Sequence, residues 1–118
     1  MNKKVLIVDD DRLNLTLLQI GLLHKDYEVF MAQNGEEALQ AVKTQKPDII
    51  VLDIQMPKMN GYEFLKELQA LPEGKIPIIM LTANEHMQDV FLTEGVRGYM
   101  VKPVNLQELD QKIKSCWT

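Results

Sequence analysis

Six polar residues stand out because each comes directly at the end of an apolar run. Asp9, Asp10 and Asp11 follow Val5-Leu6-Ile7-Val8, Asp53 follows Ile49-Ile50-Val51-Leu52, Thr82 follows Ile76 to Leu81, and Lys102 follows Tyr99-Met100-Val101. Carboxylates brought together repel, and each raises the pKa of its neighbours unless a cation compensates. The ligand atoms they offer are all oxygens, which suits Mg²⁺, Mn²⁺ or Ca²⁺ rather than zinc or copper. Mg²⁺ keeps several waters and binds through one or two carboxylates plus a phosphate oxygen, so it fits a shallow site with few ligands. A lysine beside such a cluster adds a positive point charge for an anion. A hydroxyl adds one hydrogen bond. Metal, ammonium and hydroxyl would together hold the outer oxygens of a phosphoryl group, with Asp53 as the nucleophile that forms an aspartyl phosphate. No GxxxxGK[ST] loop is present and no GxGxxG follows the first run, so the phosphoryl donor has to come from elsewhere.

This chemistry requires that the acids meet. The apolar runs at 5–8, 29–32, 49–52, 76–81 and 99–101 are rich in β-branched residues and mostly lack polar alternation, as strands buried on both faces do. Helical patterns fill the gaps at 12–24, 35–44, 61–70, 86–94 and 106–116. Asn105 with Glu108 three residues on reads as a capping box, and Asp11 as the cap of the first helix. Breakers at Asn34-Gly35, Pro47, Asn60-Gly61, Gly74 and Pro103 separate the elements. Five βα units in succession predict an open α/β fold: a five-stranded parallel sheet in the order 2-1-3-4-5, helices on both faces, right-handed crossovers. In such a sheet every strand points its carboxyl end at one edge, and ligands bind where the strand order reverses. Strands 1 and 3 flank that place, so Asp9, Asp10 and Asp53 are expected in one crevice with Thr82 and Lys102 on its far side.

Composition narrows the classes. The 118 residues are 46% hydrophobic and 25% charged, which predicts one domain spanning 1–118 and excludes a disordered chain. Thirteen basic against seventeen acidic residues give a net charge of −4, with Lys and Arg scattered, which argues against direct nucleic-acid binding. Cys116 is the single cysteine, so there is no internal disulfide and no zinc cluster. No apolar run approaches the ~20 residues of a membrane span, and the run at 5–8 is too short for a secretory signal. A cytoplasmic location is expected.

Val5-Leu6-Ile7-Val8-Asp9-Asp10, Asp53-Ile54-Gln55-Met56-Pro57-Lys58-Met59-Asn60-Gly61, Leu81-Thr82-Ala83 and Tyr99-Met100-Val101-Lys102-Pro103, in that order, resemble the CheY-like receiver domains of two-component response regulators over essentially the whole chain. The resemblance implies a flavodoxin-like (βα)5 fold and Mg²⁺-dependent phosphorylation of Asp53, with Mn²⁺ as a substitute ion. The donor would be a phosphohistidine on a sensor histidine kinase or a histidine phosphotransfer domain. Asp10, Asp53 and the main-chain carbonyl of Gln55 would bind the metal directly, and Asp9 through bound water. Lys102 would pair with the phosphoryl group. Thr82 would move toward it and Tyr99 turn inward, remodelling the face made by 86–94, 99–101 and 106–116. A downstream effector protein or domain reads that face, and a phosphorylation-dependent dimer is a further expectation. The Lys102–Pro103 bond is usually cis in such domains. The stretch from Thr82 to Lys102 is slightly shorter than the family pattern, which affects the signalling face rather than the chemistry.

Some residues admit plainer readings. Gln55 and Asn84 lie two positions beyond Asp53 and Thr82, where side chains hinder or align an attacking water and so tune phosphoryl lifetime. Met56, Pro57, Met59 and Gly61 shape their loop. His24 and His86 are read as surface residues and Cys116 as a small apolar one. The first helix carries Leu13, Leu17 and Ile20 on one side with Leu18 and Leu22 beside them, plus Leu15 and Leu23. One sheet face cannot cover them all, so part of a docking surface is expected there, kinases and phosphotransfer domains docking near this helix in the family. The expected role is a switch with self-directed phosphorylation and slow hydrolysis, not a metabolic enzyme. The alternatives are an aspartate-nucleophile phosphatase of small phosphomonoesters, a flavin or nucleotide module on the same fold, and a phosphorylation-independent interaction domain. The first lacks a second Asp at position 55. In the second, a triply acidic loop stands where a phosphate cradle is needed.

Overall fold

In the computed structural model the apolar runs become strands whose alternate side chains feed two separate cores. It describes residues 3–53, 55–56, 59–72, 75–82 and 96–116. Five parallel strands, β1 (Lys4–Val8), β2 (Glu28–Ala32), β3 (Ile49–Asp53), β4 (Ile78–Thr82) and β5 (Gly98–Val101), form one sheet in the order β2-β1-β3-β4-β5. The helices described are α1 (Arg12–Leu23), α2 (Gly35–Gln45), α3 (Gly61–Gln69) and α4 (Leu106–Ser115). The fold and its strand order are those expected from the alternation. The expected helix at 86–94 lies outside the described residues.

One face of the sheet offers Val5, Ile7, Ile49, Val51, Ile79 and Leu81, which pack on Leu15, Leu18 and Leu22 of α1 and on Leu109 and Ile113 of α4. The other face offers Leu6, Val8, Ile50, Leu52, Ile78 and Met80, which pack on Ala38 and Val42 of α2 and Phe64, Leu65 and Leu68 of α3. Burying one such aliphatic side chain is worth about 1.5–3 kcal/mol. Truncating Leu52 or Phe64 to alanine would therefore cost about 2–5 kcal/mol. β2 is an edge strand and is correspondingly less buried, with Glu28 and Met31 exposed. β4 starts two residues later than the apolar run suggests. Pro77 has no N–H to give to a ladder, although its carbonyl still accepts from Ile50 N at 3.0 Å.

Caps fix where the helices begin. Asp11, Asn34 and Asn105 accept from the backbone N–H groups of Leu13, Glu37 and Glu108. The Glu37 carboxylate also reaches back past the Asn34 cap and accepts from Gln33 N at 3.0 Å. The buried stripe of α1 is Leu15, Leu18 and Leu22, not Leu13, Leu17 and Ile20. The latter three and Leu23 are 50–66% exposed. The sheet takes the face of α1 that carries Leu15, Leu18 and Leu22 and leaves the neighbouring stripe to solvent. Among the described residues no helix is long and apolar enough to cross a membrane.

Candidate phosphoacceptor site

β1 and β3 are adjacent and in register, Val8 opposite Leu52, so Asp9 and Asp53 leave the sheet side by side. Asp9 remains tied to the edge strand through its N–H, which donates to Ala32 O at 3.1 Å. Carboxylate oxygens of Asp9, Asp10 and Asp53 all lie within 4.8 Å of one another. Asp9 and Asp53 are only 1% and 2% exposed, whereas Asp10 is exposed to solvent. Two buried acids and one open one form a pit with a mouth.

Lys102 follows β5 and reaches back over the edge to donate to Asp53 Oδ2 at 2.5 Å. Its ammonium compensates part of the clustered charge. Asp9 is served less well. Its Oδ1 accepts from Asp11 N at 2.9 Å, while its Oδ2 is buried with no hydrogen-bond partner. Burial, and then the charge of Asp53, push the Asp9 carboxyl up to about 6, against the lowering influence of the Asp11 N–H and Lys102. A buried carboxylate oxygen without a donor, facing two more carboxylates, is what an oxygen-preferring divalent ion would complete. The residues therefore fit Mg²⁺.

The other expected site residues are distributed as follows. Thr82 ends β4, its backbone paired with Val101 next to Lys102, so it lies at the same edge as Asp53. Its side chain lies outside the described residues. Gln55 pairs with Asn60 in a two-residue antiparallel ladder directly after β3, and this places its backbone beside the site. Asn84 and His86 lie outside the described residues. Tyr99 sits opposite Met80 in the β4–β5 ladder and packs, partly buried, on the core cluster that contains α2 and α3. The Lys102–Pro103 bond is cis. Asn14 escaped the sequence reading: it lines the space beside Asp9. The signal was available, since it falls within the first turn after the Asp11 cap, on the helix end that faces the acids.

Residues 5–114 match the response regulator receiver domain family. The chain is 43% identical over 98% of its length to the alkaline phosphatase synthesis transcriptional regulatory protein PhoP of Bacillus subtilis. It is 41% identical over 96% of its length to the probable transcriptional regulator ycf27 of Pyropia yezoensis. It spans about half the length of these curated relatives, 48% and 46%. Among solved structures, the chemotaxis response regulator CheY4 of Vibrio cholerae superposes with a TM-score of 0.89 at 32% identity, covering 98% of both chains. The response regulator protein TrrA of Thermotoga maritima, solved in complex with Mg(2+)-BeF, superposes with a TM-score of 0.85 at 35% identity, covering 96% of this chain and 97% of that one. With residues 5–114 matched by the family and relatives above 40% identity over nearly the whole chain, this chain belongs to the response regulator receiver domains, the phosphoacceptor switches of two-component signalling.

Proposed function

We propose that residues 1–118 act as one receiver unit in which Asp53 accepts a phosphoryl group from a phosphohistidine on a sensor histidine kinase or a histidine phosphotransfer domain. The observation that carries this is the pit itself: three carboxylates within one ion's reach, an orphaned buried oxygen on Asp9, and an ammonium held on Asp53. Asp10, Asp53 and the Gln55 carbonyl would hold Mg²⁺, or Mn²⁺ in its place, with Asp9 acting through bound water. When bound, the ion neutralises charge on the phosphoryl oxygens.

The chain's own residues do the rest. An Asp53 oxygen forms the new bond to phosphorus, the bond from phosphorus to the donor's imidazole nitrogen breaks, and the electron pair returns to that nitrogen. Lys102, already on Asp53, passes its ammonium to a phosphoryl oxygen and holds the product. Thr82 at the end of β4 donates a hydroxyl to the phosphoryl group, and Tyr99 on β5 follows it inward. This couples the edge to the face of β5 and α4 that an effector, or a second copy of the chain, reads. Gln55 and Asn84 set how fast water removes the phosphoryl group. The donor docks on the exposed ridge of Leu13, Leu17, Ile20 and Leu23, an apolar strip along α1, the helix that starts directly after the acids.

Incubation with Mg²⁺ and acetyl phosphate tests the reading. The parent gains an acid-stable, base-labile phosphoryl adduct at Asp53 that chelation prevents, and Asp53→Asn gains none. Equal labelling of the two proteins, or labelling that ignores chelation, overturns it.

A further inference from the structure

Gly21 occupies a helical position of α1 that alanine would fill with less loss of chain entropy. The space left by its missing side chain is used. A Cβ at this position would stand 2.3 Å from Leu106 Cδ1, 2.8 Å from Cδ2 and 3.1 Å from Cγ. The Leu106 side chain therefore lies directly on the backbone of α1, closer than any other residue at position 21 allows.

Leu106 is the first residue of α4, next to the Asn105 cap, whose side chain accepts from Glu108 N at 3.0 Å. Val104 and Leu106 both pack on the core shared by α1 and α4. Only Pro103, Val104 and Asn105 separate Leu106 from Lys102. This short segment is held at both ends: Leu106 rests on α1 at Gly21, and Lys102 Nζ donates to Asp53 Oδ2 at 2.5 Å. Leu106 also borders a cavity of about 670 Å³ between α1 and the segment, together with Leu17, Leu18, Val104 and Lys102. A Leu106 side chain pushed off α1 has room there, so a larger residue at 21 shifts Leu106 instead of overfilling a close-packed core.

We propose that Gly21 is a positioning residue. By letting Leu106 seat on α1, it sets where the segment after β5 runs, and so where the Lys102 ammonium meets a phosphoryl group on Asp53. The inference rests on the reading of Asp53 as phosphoacceptor and deepens it. Phosphoryl transfer asks the protein mainly for placement and charge, so a displaced carrier of Lys102 is felt in the rate. The acids follow β1 and β3, not the segment that Leu106 anchors, so metal affinity should stay as it is.

Gly21→Ala should slow Mg²⁺-dependent labelling of Asp53 by acetyl phosphate about tenfold, with Mg²⁺ affinity by calorimetry within about twofold of the parent. Leu106→Ala frees the segment from α1 and should slow labelling too. It is only partly buried, so that variant folds and carries the test if Gly21→Ala does not. Adding Gly21→Ala to Leu106→Ala should change nothing more, because the clash has gone. Neither variant should slow Lys102→Gln further, because both act through Lys102. Parent-like labelling of Gly21→Ala overturns the proposal, as does equal slowing in the Lys102→Gln background or a loss of Mg²⁺ affinity that tracks the slowing. Urea titration reads the same link without phosphorylation: Gly21→Ala and Lys102→Gln should depart from additivity by more than about threefold in the unfolding constant, beyond the roughly twofold scatter of independent sites. Additivity overturns the proposal. Failure of the parent to be labelled overturns the phosphoacceptor reading, while the urea cycle still reports whether Gly21 and Lys102 are linked.

Discussion

Two buried aspartates sit at opposite ends of the sheet and have been treated in opposite ways. Asp9, at the carboxyl edge, keeps one oxygen with no donor and is pushed up to about 6 by burial and by Asp53. Asp110, on α4, is nearly as buried, yet it accepts from the Tyr27 hydroxyl at 2.6 Å and pairs with Lys114 at 3.1 Å. Burial alone would raise the Asp110 carboxyl. The hydroxyl, Lys114 and Lys25 outweigh it and leave the group lowered. Tyr27 immediately precedes β2, so this bond ties α4 to the amino edge of the sheet. A buried acid whose oxygens are all served belongs to the architecture. One left unserved, in the company of other acids, fits a cation-binding site instead.

The contrast can be broken at several points. Lys102→Gln removes a compensating charge from the pit and should destabilise the metal-free protein by about 2–4 kcal/mol, read by urea titration, with Mg²⁺ restoring more of the loss than it adds to the parent. Loss of stability that Mg²⁺ leaves untouched would show that Lys102 and the ion do not share a role. Tyr27→Phe takes a hydrogen bond from a charged carboxylate and should cost about 1.5–3 kcal/mol while leaving Asp53 labelling as it was.

That cost has a defined pH window. The Asp110 carboxyl is depressed, so its contribution is present above the ordinary carboxylate range and is lost as pH falls through the lowered value. The Tyr27 hydroxyl is raised, by burial first and then by Asp110, so its contribution is present below the ordinary tyrosine value and is lost as pH rises through the raised one. The gap between parent and Tyr27→Phe should thus be widest between about pH 5 and 10 and should shrink in acid. A gap of constant size down to pH 3 would mean that packing, not the charged bond, holds the pair.

Asp9→Asn acts at the other edge. It relieves repulsion in the metal-free pit while weakening Mg²⁺ binding by about tenfold, or about 1.4 kcal/mol, so the variant should melt higher than the parent without Mg²⁺ and respond less to its addition. Lys114→Gln is the smallest change. Lys114 is mostly exposed, and removing it should cost no more than about 0.5 kcal/mol. A larger loss would shift the anchor of Asp110 from Tyr27 to the ion pair.

Most of the pit could be read from the chain because its logic is local. An apolar run long enough for a strand ends in an acid or a lysine, and a parallel sheet sends every such end to one edge. The order of the strands came from alternation in the same way. What did not show was which side of a helix faces in. α1 has apolar residues on most of its circumference, so periodicity alone shows that some must stay exposed without choosing which stripe the sheet takes. Nor did the Tyr27–Asp110 bond show. It joins residues far apart in the chain, and neither sits in a motif. The same holds for the cavity, whose walls come from α1 and from the segment after β5.

The two-faced character of α1 has a bearing on how such proteins diversify. Leu13, Leu17, Ile20 and Leu23 contribute little to cohesion, because Leu15, Leu18 and Leu22 already anchor the helix. Substitutions along the outer ridge are therefore nearly free of folding constraint, and duplicated copies can drift apart in whom they recognise while retaining an identical scaffold and identical chemistry.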